Sequence, residues 1–159
     1  MTHATSDLMI PAAMPPAPVV FTLEEVNALL PRLKELMAVQ MGRRSEIEGK
    51  LERLAGLLGT LPDTIEIEER DPSHVRDLKR DLVENVEVYQ SSWREIEALG
   101  VVLKDARAGL VDFYGHVDGK AVWLCWKFGE ETVMHYHDLD QGFAGRRPIE
   151  ATLRHRHLN

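Results

Sequence analysis

The side chains best suited to chemistry lie between Gly109 and Pro148. His135 and His137 are separated by one residue, so in a β-strand both would project to the same side, about 6.5–7 Å apart. Two imidazoles in this arrangement could chelate a divalent metal, with carboxylate oxygens completing the shell. Local spacing places only two ligands, however. The alternative is a structural role in which His137 fills the space beside Gly115.

A second set of residues predicts a site for a small ligand. Its members are Asp112, Cys125, Glu130, His137 and Arg146. An arginine in a glycine-containing loop can grip an anion, although pairing of Arg146 with Glu130 or Asp112 would lock the loop instead. A nucleophilic cysteine needs a neighbouring base or positive charge. The expected pairing puts Asp112 opposite Cys125 and no histidine on the adjacent rungs, with His116 on the same face two rungs away. No catalytic residue is therefore predicted, and an enzymatic role is left open but not favoured.

These residues are positioned by a predicted antiparallel meander. Asp118-Gly119 between alternating apolar residues is a strong hairpin signal, and Gly129-Glu130 is compatible with a second two-residue turn. The predicted strands are Leu110–Val117, Lys120–Phe128 and Glu131–His137, with a fourth possible at Val101–Lys104.

The register that these turns imply sorts the side chains onto two faces. One face is mainly apolar and carries His135 and His137 at its edge. The other carries Asp112, Cys125 and a row of three aromatic residues: Tyr114, Trp123 and Tyr136. Such a row is typical of an interface, most simply of a homodimer or a contact with another protein. Coverage by the C-terminal segment is the alternative.

Two long helices are predicted ahead of the sheet. Thr22 and Glu25 form a capping box, and Pro31 is expected to separate a short first helix from a kinked long one. From Leu30 to Leu58 the apolar residues follow a heptad, interrupted by Gln40 and Arg44. A second amphipathic helix begins at Ser73 and is closed by Gly100. Similar lengths favour an antiparallel, coiled-coil-like hairpin.

Composition restricts the function classes further. The chain has 19 Lys and Arg against 26 Asp and Glu, a net charge of −7, which disfavours binding to nucleic acid. A single cysteine suits a reducing cytoplasm, and no apolar run is long enough for a membrane span. The predicted organisation is a flexible leader (1–20), one α+β domain (21–149) and a basic tail (150–159). Within the domain we expect the helical hairpin (21–100), the meander (101–138) and a Gly/Arg loop (139–149).

Several short motifs, in order, resemble one known family. They are Phe21-Thr-Leu-Glu-Glu-x-Asn-x-Leu-Leu-Pro31, Lys104-Asp, Gly109-Leu-Val-Asp-Phe, Asp118-Gly, Leu124-Cys-Trp, Gly129-Glu and His137 followed by Gly142-Phe-x-Gly-Arg-x-Pro148-Ile. This pattern is similar to the bacterial domain-of-unknown-function family 2203. The resemblance implies a small bacterial cytoplasmic protein and assigns no activity. An aromatic residue, often Trp, precedes the histidine in that pattern, whereas Tyr136 stands here. His135 is not part of it.

The sequence therefore predicts an α+β protein in which the helical hairpin packs on a three- or four-stranded antiparallel meander. The favoured function is a non-enzymatic module for self-association or protein interaction. The alternative is a small-molecule or metal site, possibly enzymatic, at the end of the sheet around His137, Glu130 and Arg146. No cofactor is assigned beyond a divalent metal in that alternative.

Overall fold

A computed structural model describes residues 2–3 and 19–149. Its elements in chain order are β1 (Thr2–His3), α1 (Leu23–Leu58), β2 (Thr64–Ile65), α2 (Ser73–Glu97), β3 (Val102–Asp105), β4 (Leu110–Val117), β5 (Lys120–Lys127), β6 (His135–Asp138) and β7 (Arg147–Pro148). β1 pairs with β2, and the other strands form an antiparallel sheet in the order β3-β4-β5-β6-β7. The α+β class is confirmed, and the sheet has five strands where three or four were expected.

The described residues divide into two compact units. One contains residues 2–3 and 38–95, and the other contains residues 19–37 and 96–149. The second unit holds the five-stranded sheet together with the first part of α1. Every predicted site residue lies in this second unit. The basic tail lies outside the described residues, as does most of the leader.

α1 begins at the predicted capping box. The Thr22 amide donates to Glu25 Oε1 and the Glu25 amide donates to Thr22 Oγ1, both at 3.1 Å. The expected break at Pro31 is wrong, because α1 continues through it for 36 residues. Pro31 is exposed, whereas Leu30 and Leu33 are buried on either side of it. Packing of the apolar face thus outweighs one missing backbone hydrogen bond.

α2 begins at Ser73 as predicted and spans 25 residues. Its buried residues follow the predicted stripe: Val75, Leu78, Leu82, Val86, Tyr89, Trp93 and Ile96. Gly100 follows the helix with a φ of +93°, in the left-handed region that favours glycine. The two helices are not of equal length, since α1 does not break at Pro31. None of the helices among the described residues is both long and apolar enough to cross a membrane.

The β4–β5 hairpin has the predicted register. Val117 pairs with Lys120 and Asp112 with Cys125, and Asp118 and Gly119 both have positive φ, at 54° and 79°. This geometry is that of a type I′ turn, which matches the twist of the flanking strands. The turn therefore fixes which side chains of β4 and β5 share a face.

The predicted register between β5 and β6 is wrong by one residue. A turn closed by the Glu130 amide on the Lys127 carbonyl (3.0 Å) ends β5 one residue early, and Gly129 supplies the positive φ of 104°. β6 begins only at His135, where Cys125 pairs with His135 instead of Met134. A slip of one residue moves every side chain of a strand to the opposite face. Both histidines therefore lie on the face of Asp112 and Cys125.

The fifth strand was not predicted. Arg147 pairs with Tyr136, and Pro148 pairs with His135. A two-residue strand that ends in proline at a sheet edge shows no alternation in the sequence, so this segment was assigned to the Gly/Arg loop. A 3₁₀ turn at Phe143–Gly145 precedes it. Arg146, between this turn and β7, contacts His135.

Candidate functional site

The candidate site occupies one face of the five-stranded sheet. Asp112, Cys125 and His135 lie side by side on β4, β5 and β6. His137 pairs with Trp123, two residues further along the strands and in the next row on the same face. Alternate residues of a strand point to the same side, so all four functional side chains share this face.

Three of these residues form a buried cluster. One donor atom from each of Asp112, Cys125 and His137 lies within 4.8 Å of the others. The exposed fractions of these residues are 1%, 0% and 2%, respectively. A carboxylate, a thiol and an imidazole are thus brought together out of contact with water. This cluster joins three of the five predicted ligand-binding residues.

Hydrogen bonds fix the protonation of His137. Its Nδ1 lies 3.0 Å from the backbone carbonyl of Asp138, which can only accept, so Nδ1 carries a proton. Its Nε2 lies 2.8 Å from Asp112 Oδ2. One proton is shared across this second contact, as an imidazolium with a carboxylate or as an imidazole with a carboxylic acid. The side chain of Asp138 is in turn held by Lys120 and Arg147, at 3.1 and 2.8 Å.

One carboxylate oxygen of Asp112 lacks a hydrogen-bond partner among the described residues. This oxygen, Oδ1, is buried. Leaving a buried polar atom unpaired costs about 1–3 kcal/mol. Burial raises the pKa of Asp112 above its ordinary value, while the charge of His137, hydrogen bonding to Cys125 and His137, and the charge of Lys104 oppose that change. The carboxyl group is therefore held in a setting that favours an additional positive partner.

Cys125 is an unreactive thiol in this arrangement. Burial, reinforced by the negative charge of Asp112, raises the pKa of Cys125 to about 12. Both nitrogens of His137 are engaged, one by Asp138 and one by Asp112, so neither can take the thiol proton. A Cys-His-Asp nucleophilic triad needs a histidine nitrogen facing the sulfur. The arrangement supports no nucleophilic cysteine.

The remaining predicted ligands form a neighbouring polar group. Arg146 Nη2 donates to Glu130 Oε2 at 2.6 Å and to His135 Nδ1 at 2.5 Å, and the Arg146 side chain is 11% exposed. Because His135 accepts at Nδ1, its proton is on Nε2. Burial, together with the charge of Arg146, lowers the pKa of His135. Pairing of Arg146 with Glu130 was one of the two sequence alternatives. His135 lies outside the buried cluster.

Sequence reasoning missed three residues around this face. Lys104 Nζ lies 4.0 Å from Asp112 Oδ2 and 4.4 Å from the ring centre of Trp123. Lys127 Nζ and the Arg146 guanidinium both lie over the ring of Phe143, at 5.5 and 4.7 Å. Val102 pairs with Asp112, and alternation along β3 therefore puts Lys104 on the same face as Asp112. No register was predicted for the possible fourth strand, so Lys104 was not placed.

The proposed aromatic row is interrupted. Tyr114 and Trp123 remain adjacent, with ring centres 5.7 Å apart. Tyr136, however, pairs with Leu124 and lies on the opposite face because of the shifted register. Arg147 lies over its ring, 5.0 Å from the ring centre. The three aromatic residues therefore do not form one continuous surface.

A family model described as "Uncharacterized conserved protein (DUF2203)" matches residues 19–149. The chain belongs to the DUF2203 family. The resemblance that the motifs indicated is therefore confirmed, and the match covers every candidate site residue of this DUF2203 protein. Neither the curated proteins nor the solved structures include a significant match to it.

Proposed function

We propose that this DUF2203 protein binds one divalent transition-metal ion, Zn²⁺ by preference, through Asp112, Cys125 and His137. The observation that carries the proposal is the buried convergence of three donor atoms within 4.8 Å. One of them belongs to the Asp112 carboxylate, whose Oδ1 has no hydrogen-bond partner in the part of the chain that the structure describes. Thiolate, imidazole and carboxylate are the ligands that Zn²⁺ takes in proteins. A sulfur ligand disfavours Mg²⁺ and Ca²⁺, which prefer oxygen.

The charges of the cluster support a divalent ion. Binding displaces the thiol proton of Cys125 and the proton shared by Asp112 and His137. The ion is then neutralised by one thiolate and one carboxylate, with a neutral imidazole as third ligand. Burying a net charge is costly, so a pair of anionic ligands matches a doubly charged cation.

The spacing of the donors also supports a tetrahedral ion. Metal–ligand bonds of about 2.0–2.3 Å place tetrahedral ligands roughly 3.3–3.8 Å apart. Nε2 of His137 and Oδ2 of Asp112, now 2.8 Å apart, would separate slightly once their shared proton leaves. The Cys125 sulfur, within 4.8 Å of both other donor atoms, would need to move towards them by roughly 1 Å or less to reach this spacing. Side-chain rotations of this size leave the backbone register unchanged.

His137 already has the kind of hydrogen-bond partner that supports a metal-bound histidine from outside the ligand set. Metal-bound histidines usually donate their other ring N–H to a carbonyl or carboxylate, and His137 Nδ1 already donates to the Asp138 carbonyl. This hydrogen bond aims Nε2 into the cluster. Three protein ligands leave one coordination position for an external group, as in catalytic zinc sites. A bound ion would supply Lewis acidity at that position.

The test is the metal content of the purified protein, with any affinity tag removed. After removal of metal and re-addition of Zn²⁺, dialysed wild-type protein should retain one ion per chain by elemental analysis. Cys125→Ser and His137→Gln should each retain much less. Zinc content below a tenth of an ion per chain in wild type would sink the proposal.

Two histidine variants provide matched controls. His116→Gln removes an exposed histidine of β4 on the same face, and His135→Gln removes the histidine held by Arg146. Both should retain zinc at the wild-type level. If His135→Gln lost zinc while His137→Gln kept it, the ligand assignment would be wrong.

Self-association remains our second proposal. It is supported by apolar side chains on the helices that are about half exposed, namely Val39, Leu57 and Val88, at 50%, 50% and 47%. We further propose that α1 and α2 pair as the antiparallel, coiled-coil-like hairpin. Gln40 Nε2 donates to the Tyr89 carbonyl and Lys50 Nζ to Asn85 Oδ1, at 3.0 and 2.6 Å, an order of contacts that supports antiparallel helices.

Solution mass measured over a wide range of protein concentrations tests self-association. A dimer that weakens when Val39 and Val88 are both changed to Asp would support it. A mass of one chain at every concentration would contradict it.

We also propose that the protein resides in a reducing cytoplasm, because its single cysteine suits such a compartment.

A further inference from the structure

We propose that the open position at the metal takes a small oxyanion, with carboxylate or phosphate oxygens, and that Arg146 binds the same anion. This inference rests on the proposed metal site. It identifies the chemical class of ligand that the site recognises. Three observations carry it: the hydrogen bonding of Arg146, the balance of charge around the cluster and the position of His135.

Arg146 is held in place but retains unused donors. Its Nη2 makes both of its side-chain hydrogen bonds, to Glu130 and His135, and its guanidinium lies 4.7 Å from the ring centre of Phe143. Within the described part of the chain, no hydrogen bond is formed by its Nε or Nη1. A guanidinium held at Nη2 can still donate separately from Nε and from Nη1 to carboxylate or phosphate oxygens.

The groups around the cluster have an excess of positive charge. The metal with its two anionic ligands is neutral. Among the described residues near it are the cations Lys104, Lys127 and Arg146 and the carboxylate of Glu130. Arg146 contacts His135, which pairs directly with Cys125 across the strands, so this group lies close to the proposed ligands. These cations outnumber that carboxylate, and an excess of positive charge attracts an anion.

His135 supplies a further donor on the same side. Its Nδ1 accepts from Arg146, which leaves a proton on Nε2, and it lies directly beside Cys125 in the cross-strand row. Its side chain is 32% exposed, so a ligand that enters from solvent can reach it. A metal ion, the free N–H groups of an arginine and an imidazole N–H on one face all favour oxygen atoms that carry negative charge.

Cobalt-substituted protein provides the test, because the visible absorption of tetrahedral Co²⁺ responds to a change of its fourth ligand. Co²⁺-loaded wild type is titrated separately with acetate, with inorganic phosphate and with neutral acetamide, at constant ionic strength set by sodium chloride. We expect saturable spectral changes with acetate, phosphate or both. The anion that causes the spectral change shows whether the site binds carboxylate or phosphate oxygens. A response to none of the anions, or an equal response to acetamide, would overturn the inference.

Adjacent arginines provide matched variants. Arg146→Gln should weaken anion binding by roughly tenfold or more, since a hydrogen bond to a charged group is lost, while the cobalt spectrum without anion is retained. Arg147→Gln should bind like wild type, because Arg147 pairs with Asp138 at the sheet edge. Equal anion affinity in Arg146→Gln and wild type would contradict the role of Arg146.

Arg146→Lys separates charge from hydrogen bonding, because it keeps the positive charge and loses the N–H groups of Nε and Nη1. We expect an anion affinity between those of Arg146→Gln and wild type. The two proposals fail in different ways in these experiments. Absence of the tetrahedral cobalt spectrum in wild type removes the metal site, whereas a normal spectrum that anions leave unchanged removes only this inference.

Discussion

At the scale of single residues, the two hydrogen bonds of His137 determine what Cys125 can do. Because both imidazole nitrogens are engaged, no histidine nitrogen is available to accept the thiol proton, and burial raises the pKa of Cys125 to about 12. A metal ion changes this balance, since coordination deprotonates a thiol outright. The same three side chains are therefore inert as a nucleophilic set and well suited as ligands.

Cys125 should react slowly with alkylating reagents in the metal-free native protein. Its exposed fraction is 0%, and a thiol with a pKa of about 12 has little thiolate at neutral pH. Mass spectrometry after treatment with iodoacetamide at pH 7.5 should show negligible labelling under native conditions and complete labelling in concentrated urea. Rapid labelling of the folded protein would contradict both the burial and the raised pKa.

Asp71 should make folding sensitive to acid. The hydrogen bond from Lys79, with bonds of 2.9 and 3.0 Å to the two carboxylate oxygens, lowers the pKa of Asp71. A group whose folded pKa is lowered stabilises the fold above its unfolded pKa, about 3.9, and that stabilisation is lost as the pH falls through the folded value.

Urea unfolding of Asp71→Asn at several pH values tests this expectation. The variant should be less stable than wild type at pH 7, and the difference should narrow below about pH 4. Asp77→Asn is the control, because Asp77 is 70% exposed and its ion pair within residues 19–149 is with Arg80 at 3.5 Å. A difference for Asp71→Asn that stayed constant down to pH 2 would argue against the lowered pKa.

At the scale of elements, the register of one strand assembles the site. The sequence predicted β4 and the turn at Asp118-Gly119 correctly, because an Asp-Gly pair between alternating residues admits few alternatives. It did not predict the length of the β5–β6 connection. There the Val133 amide donates to Asn27 Oδ1 of α1 at 3.1 Å, a contact between residues far apart in the chain. Local patterns hold no information about such a contact.

Gly115 should be required for the packing of β4. A Cβ atom at this position would lie 2.7 Å from the backbone oxygen of Phe21 and 2.9 Å from Leu124 Cδ1. The Phe21 amide donates to the Tyr114 carbonyl at 2.8 Å, so the clashing backbone cannot move away freely. Gly115→Ala should lower the free energy of unfolding by about 1–3 kcal/mol, as overpacking does.

Gly49→Ala is the matched control for denaturant unfolding of Gly115→Ala. Gly49 is exposed within α1, and a Cβ atom there would contact nothing within 4 Å. Alanine should therefore raise the stability by up to about 1 kcal/mol, through helix propensity alone. If both variants had the same effect on stability, the close approach of Phe21 to Gly115 would be wrong.

At the scale of the whole molecule, composition and motifs determined the class of protein and its family. The α+β class followed from the change from heptad to alternating patterns, and the family from several motifs in a fixed order. The candidate site was only partly predictable. All of its five predicted ligand residues lie on or beside one face, but their division into a buried cluster and an arginine group depends on the β5–β6 register.

Zinc should stabilise the whole protein by mass action. An ion that binds only the folded state adds about 2.7 kcal/mol at a free concentration one hundred times its Kd. The thermal midpoint of wild type should therefore rise with zinc concentration, whereas that of Cys125→Ser should not. An equal rise in both proteins would show that the stabilising ion binds elsewhere.

The most direct measurement is a crystal structure of the zinc-loaded protein with anomalous diffraction recorded at the zinc absorption edge. The account predicts one strong anomalous peak about 2.0–2.3 Å from Cys125 Sγ, His137 Nε2 and a carboxylate oxygen of Asp112. The hydrogen bond between His137 Nε2 and Asp112 should be absent in that structure. A cluster that retains this hydrogen bond at 2.8 Å, with no anomalous peak beside it, would contradict the central claim.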